Sequence, residues 1–219
     1  MSMTLPNLIL ASNSPRRQEL LGVLGIPFSI RVAPVNEAEL PDETPAAMVG
    51  RLALCKAQAV ALAPDELLLA ADTTVELDGV VLGKPVDETD ARWMLEALRG
   101  RAHTVHSAIA LRAAGREHVE VVTTAVVMRP YSEGELAAYL ASGSPLDKAG
   151  AYGIQDQPFA PCEHIAGCYL NVMGLPLCHV AQALLAWGVA VPNLPPPYCA
   201  GVLGAPCPVA LFGDKARKR

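Results

Sequence analysis

Ser14-Pro15-Arg16-Arg17 follows directly on an apolar run from Asn7 to Ala11. An apolar strand feeding a proline-led helix start gathers three features that attract anions. These are free backbone N–H groups, the positive end of a helix dipole and two guanidinium groups. The four residues suit a phosphate site, and equally a capped helix with two solvated arginines. Asp72 follows a second apolar run, Leu67 to Ala71. Catalytic groups of open α/β sheets gather at the carboxyl ends of strands. A carboxylate there can bind a divalent cation or activate water; the plain alternative is a polar residue that ends a strand. Lys84, within Gly83-Lys84-Pro85, and Lys56 add cations, each readable as a cleft group or as a solvated lysine. Lys56 stands five residues beyond Arg51, about 140° further round a helix, so the two are not close neighbours. The segment DKAGAYGIQ, residues 147–155, is unlike a generic loop. Its glycines and alanines permit close backbone approach to a ligand, and Gln155 offers both a donor and an acceptor to a base edge.

The elements that must position these groups are legible from punctuation. Asn7–Ala11 reads as a buried strand. Ser14 reads as a side-chain cap with Pro15 at the first helical position, the helix running to about Leu24 and stopping at Gly25. Thr44-Pro45 repeats the signal for a helix through roughly Leu62. Leu67–Ala71 is a buried strand that delivers Asp72 at its end. Residues 73–83 then form a hairpin around Asp78-Gly79. Asp87 caps a helix to about Arg99, and strands follow at about 103–112 and 118–128 with a turn at Ala114-Gly115. Ser132 and Glu135 form a capping box for a helix ending before Gly143. A glycine-rich loop covers 144–155, and a last helix runs from Pro176 to near Trp187. The class is mixed α/β with interleaved strands and helices, and no internal repeat is visible. Residues 1–191 form one domain. Residues 192–219, rich in proline, glycine and small residues and basic at the end, form an extension unable to make a long helix.

At 219 residues the chain suits one α/β domain. Its hydrophobic fraction of 52% and mean hydropathy of +0.29 come from short runs, none near the ~18 apolar residues of a membrane span. No basic leader precedes the first apolar run, and Arg16 and Arg17 come after it, the wrong order for a secretory signal; a cytoplasmic protein is expected. A net charge of −5 argues against a nucleic-acid surface but leaves room for a small anion in a cationic cleft. The six cysteines contain no CxxC pair and read as buried or incidental thiols, with Cys162 and Cys168 the pair to check for a bridge. The five histidines lack a metal-ligand spacing such as HExxH and read as structural or solvated.

The motifs together are similar to those of the Maf family of nucleoside triphosphate pyrophosphatases. The markers are LILASNSPRRQELL at 8–21, RLALCKA at 51–57, AADTTV at 70–75, GKP at 83–85, PLDKAGAYGIQ at 145–155 and GCYLNVMGLPL at 167–177. They cover about Leu8 to Val180. The resemblance implies a Maf/ITPase-like α/β fold, a mixed sheet with helices in two lobes around a deep nucleotide cleft, often as a homodimer. It implies cleavage of a nucleoside triphosphate between the α and β phosphates, with Mg²⁺ or Mn²⁺. By resemblance Asp72 is the catalytic base and a metal ligand, Glu37 helps to hold the metal, and Ser12, Arg16, Arg17, Lys56 and Lys84 handle the phosphates. Arg16, Thr73 and Gln155 match the pattern of the subfamily acting on dTTP and UTP. In the branch resembling a 7-methyl-GTP pyrophosphatase an aromatic replaces the first of these. The alternatives are that branch, an inosine/xanthosine triphosphate pyrophosphatase, or a nucleotide-binding regulator of septum formation with little catalysis. One departure stands out: Cys55 occupies a position, directly before Lys56, where the family often has glutamate.

Overall fold

The computed structural model describes residues 7–203. In chain order these form β1 (Asn7–Leu10), α1 (Pro15–Val23), β2 (Phe28–Ile30), α2 (Pro45–Ala59), β3 (Glu66–Leu77), β4 (Val80–Leu82) and α3 (Glu88–Leu98). There follow β5 (Ala102–Ala113), β6 (Arg116–Met128), α4 (Glu133–Ala141), β7 (Cys162–Ala166), α5 (Tyr169–Val172), α6 (Leu177–Ala186) and α7 (Pro196–Leu203). The strands make one mixed sheet in the order β2-β1-β3-β5-β6-β7, with β4 paired to β3 off that path. The mixed α/β class expected from the sequence is the class observed.

Strand β3 organises the sheet. On one side β5 accompanies it antiparallel from Leu68 to Glu76. On the other side its partner changes. β1 runs parallel to residues 66–69, and β4 pairs antiparallel with residues 75–77. Among the described residues, 70–74 therefore have no strand neighbour on that side, and the sheet is open there. This corrects the expectation that a strand ends at Ala71 and a hairpin begins at Thr73. Continuous pairing to β5 carries the strand straight through Asp72, so the hairpin is confined to Val75–Leu82, around Asp78-Gly79.

Period-two alternation along β3 sends side chains to opposite faces. Leu68 and Ala70 pack with Val49, Ala53 and Ala57 of α2. Leu67, Leu69 and Ala71 pack with Leu20 and Leu21 of α1 and Leu177, Ala181 and Leu184 of α6. Both faces are covered, so the run from Leu67 to Ala71 is buried throughout, as expected of strands between helical layers. Val75 and Leu77 lie on the second face but join a different cluster, with Leu95 and Leu98 of α3 and Leu136 and Leu140 of α4. Full burial of each such leucine contributes roughly 2 kcal/mol.

Several local expectations hold. Asp87 caps α3 through Asp90, Thr44 caps α2, and Ser132 with Glu135 makes the capping box of α4. Others need correction. Ser14 makes no side-chain cap; its N–H instead donates to Ser12 Oγ at 3.2 Å, which tightens the turn before α1. Helix α2 stops at Ala59 rather than near Leu62. Segment 144–155 is not a plain loop but holds two 3₁₀ turns, Ser144–Asp147 and Ala149–Ala151. Strands β2 and β7 are too short and too exposed to show a pattern. Past Val191 the chain makes the short helix α7, whose Cys199 joins the α1–α6 core, and Asn193 N–H donates to Leu24 O at 3.1 Å. Cys162 is a half-buried thiol not bridged to Cys168, and Cys207 lies outside the described residues. Among the described residues no helix is long and apolar enough to cross a membrane.

The histidines of β5 are built into the sheet. His106 bonds Glu76 at 2.6 Å and Thr123 at 2.9 Å. His103 Nε2 meets the Tyr152 hydroxyl at 2.7 Å, while its Nδ1 is buried without a partner. Burial lowers the pKa of His103 from its ordinary 6.5 to about 4. Between those values the unfolded chain binds a proton there that the folded one refuses, so stability is full above pH 6.5 and is lost as pH falls toward 4. The expected loss from this group is up to roughly 3 kcal/mol. Urea unfolding across this pH window should show the decline in the wild type and a flatter profile in His103→Gln.

Candidate functional site

The opening in β3 is where the candidate residues meet. Asp72 and Thr73 lie within it, on opposite faces of the sheet. Asp72 sits on the face of Leu68 and Ala70, under α2, and is 8% exposed. Lys56, near the C-terminal end of α2, reaches down to it: its Nζ lies 2.5 Å from Asp72 Oδ1 and 2.8 Å from Glu37 Oε1. Lys56 thus faces the cleft, while Arg51, on another side of α2, is held by Glu43 at 2.6 Å. Cys55 is a half-buried free thiol, and Lys56 takes its place through Asp72 and Glu37 without an acidic neighbour at position 55.

Thr73 points to the other face, between the two clusters that share it. Its hydroxyl meets Ser107 Oγ across the β3–β5 pair at 2.8 Å. Ser107 in turn donates to Asn171 O at 2.9 Å, and Asn171 Nδ2 donates to Val105 O and Thr124 Oγ1. A buried polar chain thus runs from β6 through the segment before Gly174 to the floor of the cleft. Its members are paired except at Asn171 Oδ1, which is buried without a hydrogen-bond partner among the described residues; the bonds that are made tie the segment to β5 and β6.

Arg17 joins the two faces. Its Nε donates to Gly174 O at 2.9 Å, Nη1 to Ala71 O at 2.9 Å, and Nη2 to Thr73 Oγ1 at 3.0 Å; a longer contact reaches Ser12 Oγ at 3.5 Å. Gly174 has φ +106°, a conformation that turns its carbonyl into the cleft and that side-chain-bearing residues avoid. Desolvation lowers the Arg17 pKa and the nearby Asp72 charge opposes this; a guanidinium remains charged regardless. Arg17 therefore spends its hydrogen bonds on the protein and contributes its charge to the cleft.

Two cavities open on the gap. A trough of about 610 Å³ lies on the Asp72 side, lined by Ser12, residues 32–35, Glu37 and Lys56 among others. A narrower recess of about 110 Å³ lies on the Thr73 side, bounded by Thr73, Val75, Val105, Tyr152, Gly153 and Gln155. Ser14, Arg16, Arg17, Lys84 and Asp147 border both. Lys84 is exposed and has no ion pair or hydrogen bond among the described residues. Arg16 is paired across the mouth of the recess with Asp147, at 2.8 Å. Of the nine residues singled out by sequence, eight border these two adjoining cavities, and the ninth, Asp72, lies just beneath them through Lys56. The cations Arg16, Arg17, Lys56 and Lys84 outnumber the carboxylates Glu37, Asp72 and Asp147 there, in a chain whose net charge is −5. A local excess of this kind favours an anionic ligand.

Sequence reasoning missed Ser107, Asn171 and Gly174, which support Thr73 and Arg17, and missed the partner of Arg16. GCYLNVMGLPL carried a signal for Asn171 and Gly174; nothing local marked Ser107. For a metal, the donor set is two carboxylates lying against one ammonium. Among the described residues no three ligating side chains converge. Two carboxylates can hold a hard divalent cation of the Mg²⁺ type when phosphate oxygens and water complete its shell, and here both lie against the Lys56 ammonium.

Substituting Arg17 by Met removes its donors from the Ala71 and Gly174 carbonyls and leaves Gly174 O only the longer contact to the Thr73 hydroxyl at 3.3 Å. It is expected to destabilise the fold by about 2–4 kcal/mol in urea denaturation. Lys84→Met, which breaks no hydrogen bond or ion pair among the described residues, should leave the unfolding midpoint unchanged.

A family model described as Maf-like protein matches residues 7–187. A protein of Symbiobacterium thermophilum named dTTP/UTP pyrophosphatase is 47% identical over 185 residues, 84% of this chain and 95% of that protein. A protein of Salinibacter ruber with the same name is 50% identical over 184 residues, 82% of this chain and 90% of that one. Among solved structures, the Staphylococcus aureus Ham1 protein aligns with a TM-score of 0.48 at 16% identity, covering 83% of this chain and 99% of that one.

Proposed function

The chain belongs to the Maf family, and from that premise we propose that it hydrolyses nucleoside triphosphates, dTTP and UTP foremost, to the monophosphate and pyrophosphate. The relatives named above carry that activity in their names and match this chain over most of its length. The observation that carries the proposal is the gap in β3, where a carboxylate–ammonium–carboxylate cluster on one face adjoins a separate recess on the other. A triphosphate needs cations and a general base for the attacking water near its α phosphorus; a nucleobase needs a narrow polar slot. The two cavities offer one of each, joined at Arg16, Arg17 and Lys84.

Phosphoanhydride hydrolysis is largely positioning and charge neutralisation. The triphosphate lies in the trough, where Lys56 and Lys84 donate to phosphate oxygens and Arg17 adds positive potential from beneath. The first turn of α1 presents the backbone N–H groups of Arg16 and Arg17 to the same anion, since the Ser14 N–H is taken by Ser12 Oγ and Pro15 has none. Asp72 Oδ1 is held by Lys56, and its Oδ2 has no hydrogen-bond partner among the described residues. That oxygen orients the attacking water and accepts its proton as the water oxygen bonds to the α phosphorus. The bond between the α and β phosphates breaks and pyrophosphate leaves with the negative charge that Lys56 and Lys84 offset. Glu37 and Asp72 would hold a divalent cation together with the triphosphate, and such an ion supplies further charge neutralisation on the phosphates. On the opposite face the base enters the recess, where Thr73 and Gln155 hydrogen-bond its edge and Arg16 stands at the mouth. The recess is the smaller cavity, which suits one-ring bases better than two-ring bases.

Asp72→Asn keeps the shape and removes the proton acceptor. Pyrophosphate release from dTTP with Mg²⁺ or Mn²⁺ is expected to fall at least about 100-fold, with the thermal unfolding transition retained. Near-normal turnover in that variant would remove Asp72 from the mechanism. A panel of dTTP, UTP, 7-methyl-GTP, ITP and dATP, read by the same release, should place the two pyrimidine nucleotides first.

A further inference from the structure

Arg16 is fixed at two points across the mouth of the recess. Its Nη1 donates to Asp147 Oδ2 at 2.8 Å and its Nη2 to the Asp147 backbone carbonyl at 3.2 Å. The other carboxylate oxygen of Asp147 accepts from Lys148 Nζ at 2.7 Å. Lys148 is almost wholly buried, with its side chain 9% exposed. A buried ammonium is costly unless surrounded by acceptors. Lys148 has them, in Ser144 O at 2.6 Å, Ser144 Oγ at 3.0 Å and, further off, Asp156 Oδ2 at 3.5 Å. Asp156 in turn accepts from Tyr139 Oη at 2.6 Å and Ser144 Oγ at 2.7 Å. Gly153 closes the arrangement: a Cβ there would lie 2.5 Å from Asp156 Oδ1, and its N–H donates to Tyr139 Oη at 3.0 Å. Burial pushes the Asp147 pKa up, but hydrogen bonds from Lys148 and Arg16 outweigh this and hold it below its ordinary value.

The result is an alternating chain of charge, Arg16–Asp147–Lys148–Asp156. It runs from the first turn of α1 to the residue next to Gln155, linking the two walls of the recess. Its chemical effect falls on Arg16. An unpaired guanidinium at this position, beside a triphosphate, would be drawn onto the phosphates. Paired with Asp147 it is neutralised and aimed, and it acts as an oriented hydrogen-bond donor at the recess.

We propose that Asp147 is a positioning residue for substrate selection. It holds Arg16 at the mouth of the recess, where Arg16 donates to the base rather than to the triphosphate, and buried Lys148 keeps Asp147 in place for that task. The proposal rests on the assignment of Arg16 as a base-selecting group under the proposed function.

A double-mutant cycle tests it, with kcat and KM measured for dTTP and dATP in the wild type, Asp147→Asn, Arg16→Met and the double variant. Asp147→Asn is expected to lower the dTTP-over-dATP ratio of kcat/KM on the order of tenfold, chiefly through a raised KM for dTTP. In the Arg16→Met background the same substitution should change that ratio less than about twofold, because Asp147 then has nothing to aim. Asp147→Glu should restore part of the ratio. An equal effect of Asp147→Asn in both backgrounds would show a merely structural role and overturn the proposal, as would an unchanged ratio in the Asp147→Asn single variant. If Arg16→Met by itself leaves the ratio unchanged, Arg16 does not select the base and the positioning role falls with that assignment. Loss of the ratio in Asp147→Asn but not in Arg16→Met would place selection in Asp147 directly. Thermal unfolding of each variant separates these outcomes from misfolding; should Asp147→Asn not fold, Asp147→Ser takes its place in the cycle.

Discussion

The constraint on which the rest of this structure depends is the change of partner along β3. A strand that pairs parallel to β1 over its first four residues and antiparallel to β4 over its last three must leave an unpaired stretch between. That stretch holds Asp72 and Thr73. Continuous pairing to β5 on the other side keeps it straight and rigid, so two adjacent side chains leave a fixed backbone in opposite directions. Strand alternation alone separates the charged chemistry on one face from the recess on the other, and the missing neighbour lets one ligand reach both. The three core clusters follow the same division, with α2 on the Asp72 face and α1 with α6, then α3 with α4, on the Thr73 face.

Within that frame the cations differ in kind, although their residue types do not show it. Arg17 is a structural member of the cleft, bonded to two carbonyls and to Thr73. Lys56 is committed to two carboxylates. Arg16 is tied across a gap in the sequence of 131 residues, and Lys84 is exposed with no partner among the described residues. A bound phosphate therefore meets one ready donor in Lys84, one that it must share with carboxylates in Lys56, and a fixed field from Arg17. Grading the cations in this way limits how far the site must reorganise, which is the condition for strong electrostatic stabilisation.

The polar network beneath Thr73 shows why the segment before α6 matters. Asn171 is fully buried and ties β5 and β6 to this segment, while Gly174 turns its carbonyl toward Arg17. Neither contacts the trough. Both set the position of groups that do, and Gly174, with Val172 of α5, also borders the recess, so the short helix α5 supports the site and lines part of it.

Much of this protein was determined by its sequence. Helix starts were legible because a cap or a proline acts through bonds within three or four residues, as at Thr44, Asp87 and the Ser132–Glu135 box. The buried strands were legible because apolar runs bounded by turns have few other uses, and the family was legible because its motifs are long. Local rules failed where a partner elsewhere in the chain decided the outcome. Pairing with β5 carried β3 past Asp72 and set Ser107 opposite Thr73, the hydroxyl of Ser12 replaced a cap at Ser14, and a distant 3₁₀ turn supplied Asp147 to Arg16. The four residues Ser14-Pro15-Arg16-Arg17 show the limit most clearly. Their types specified a helix start with two positive charges. Only the fold gave one arginine to the floor of the cleft and the other to its mouth, because the acceptors that separate them come from strands and turns brought together by the sheet.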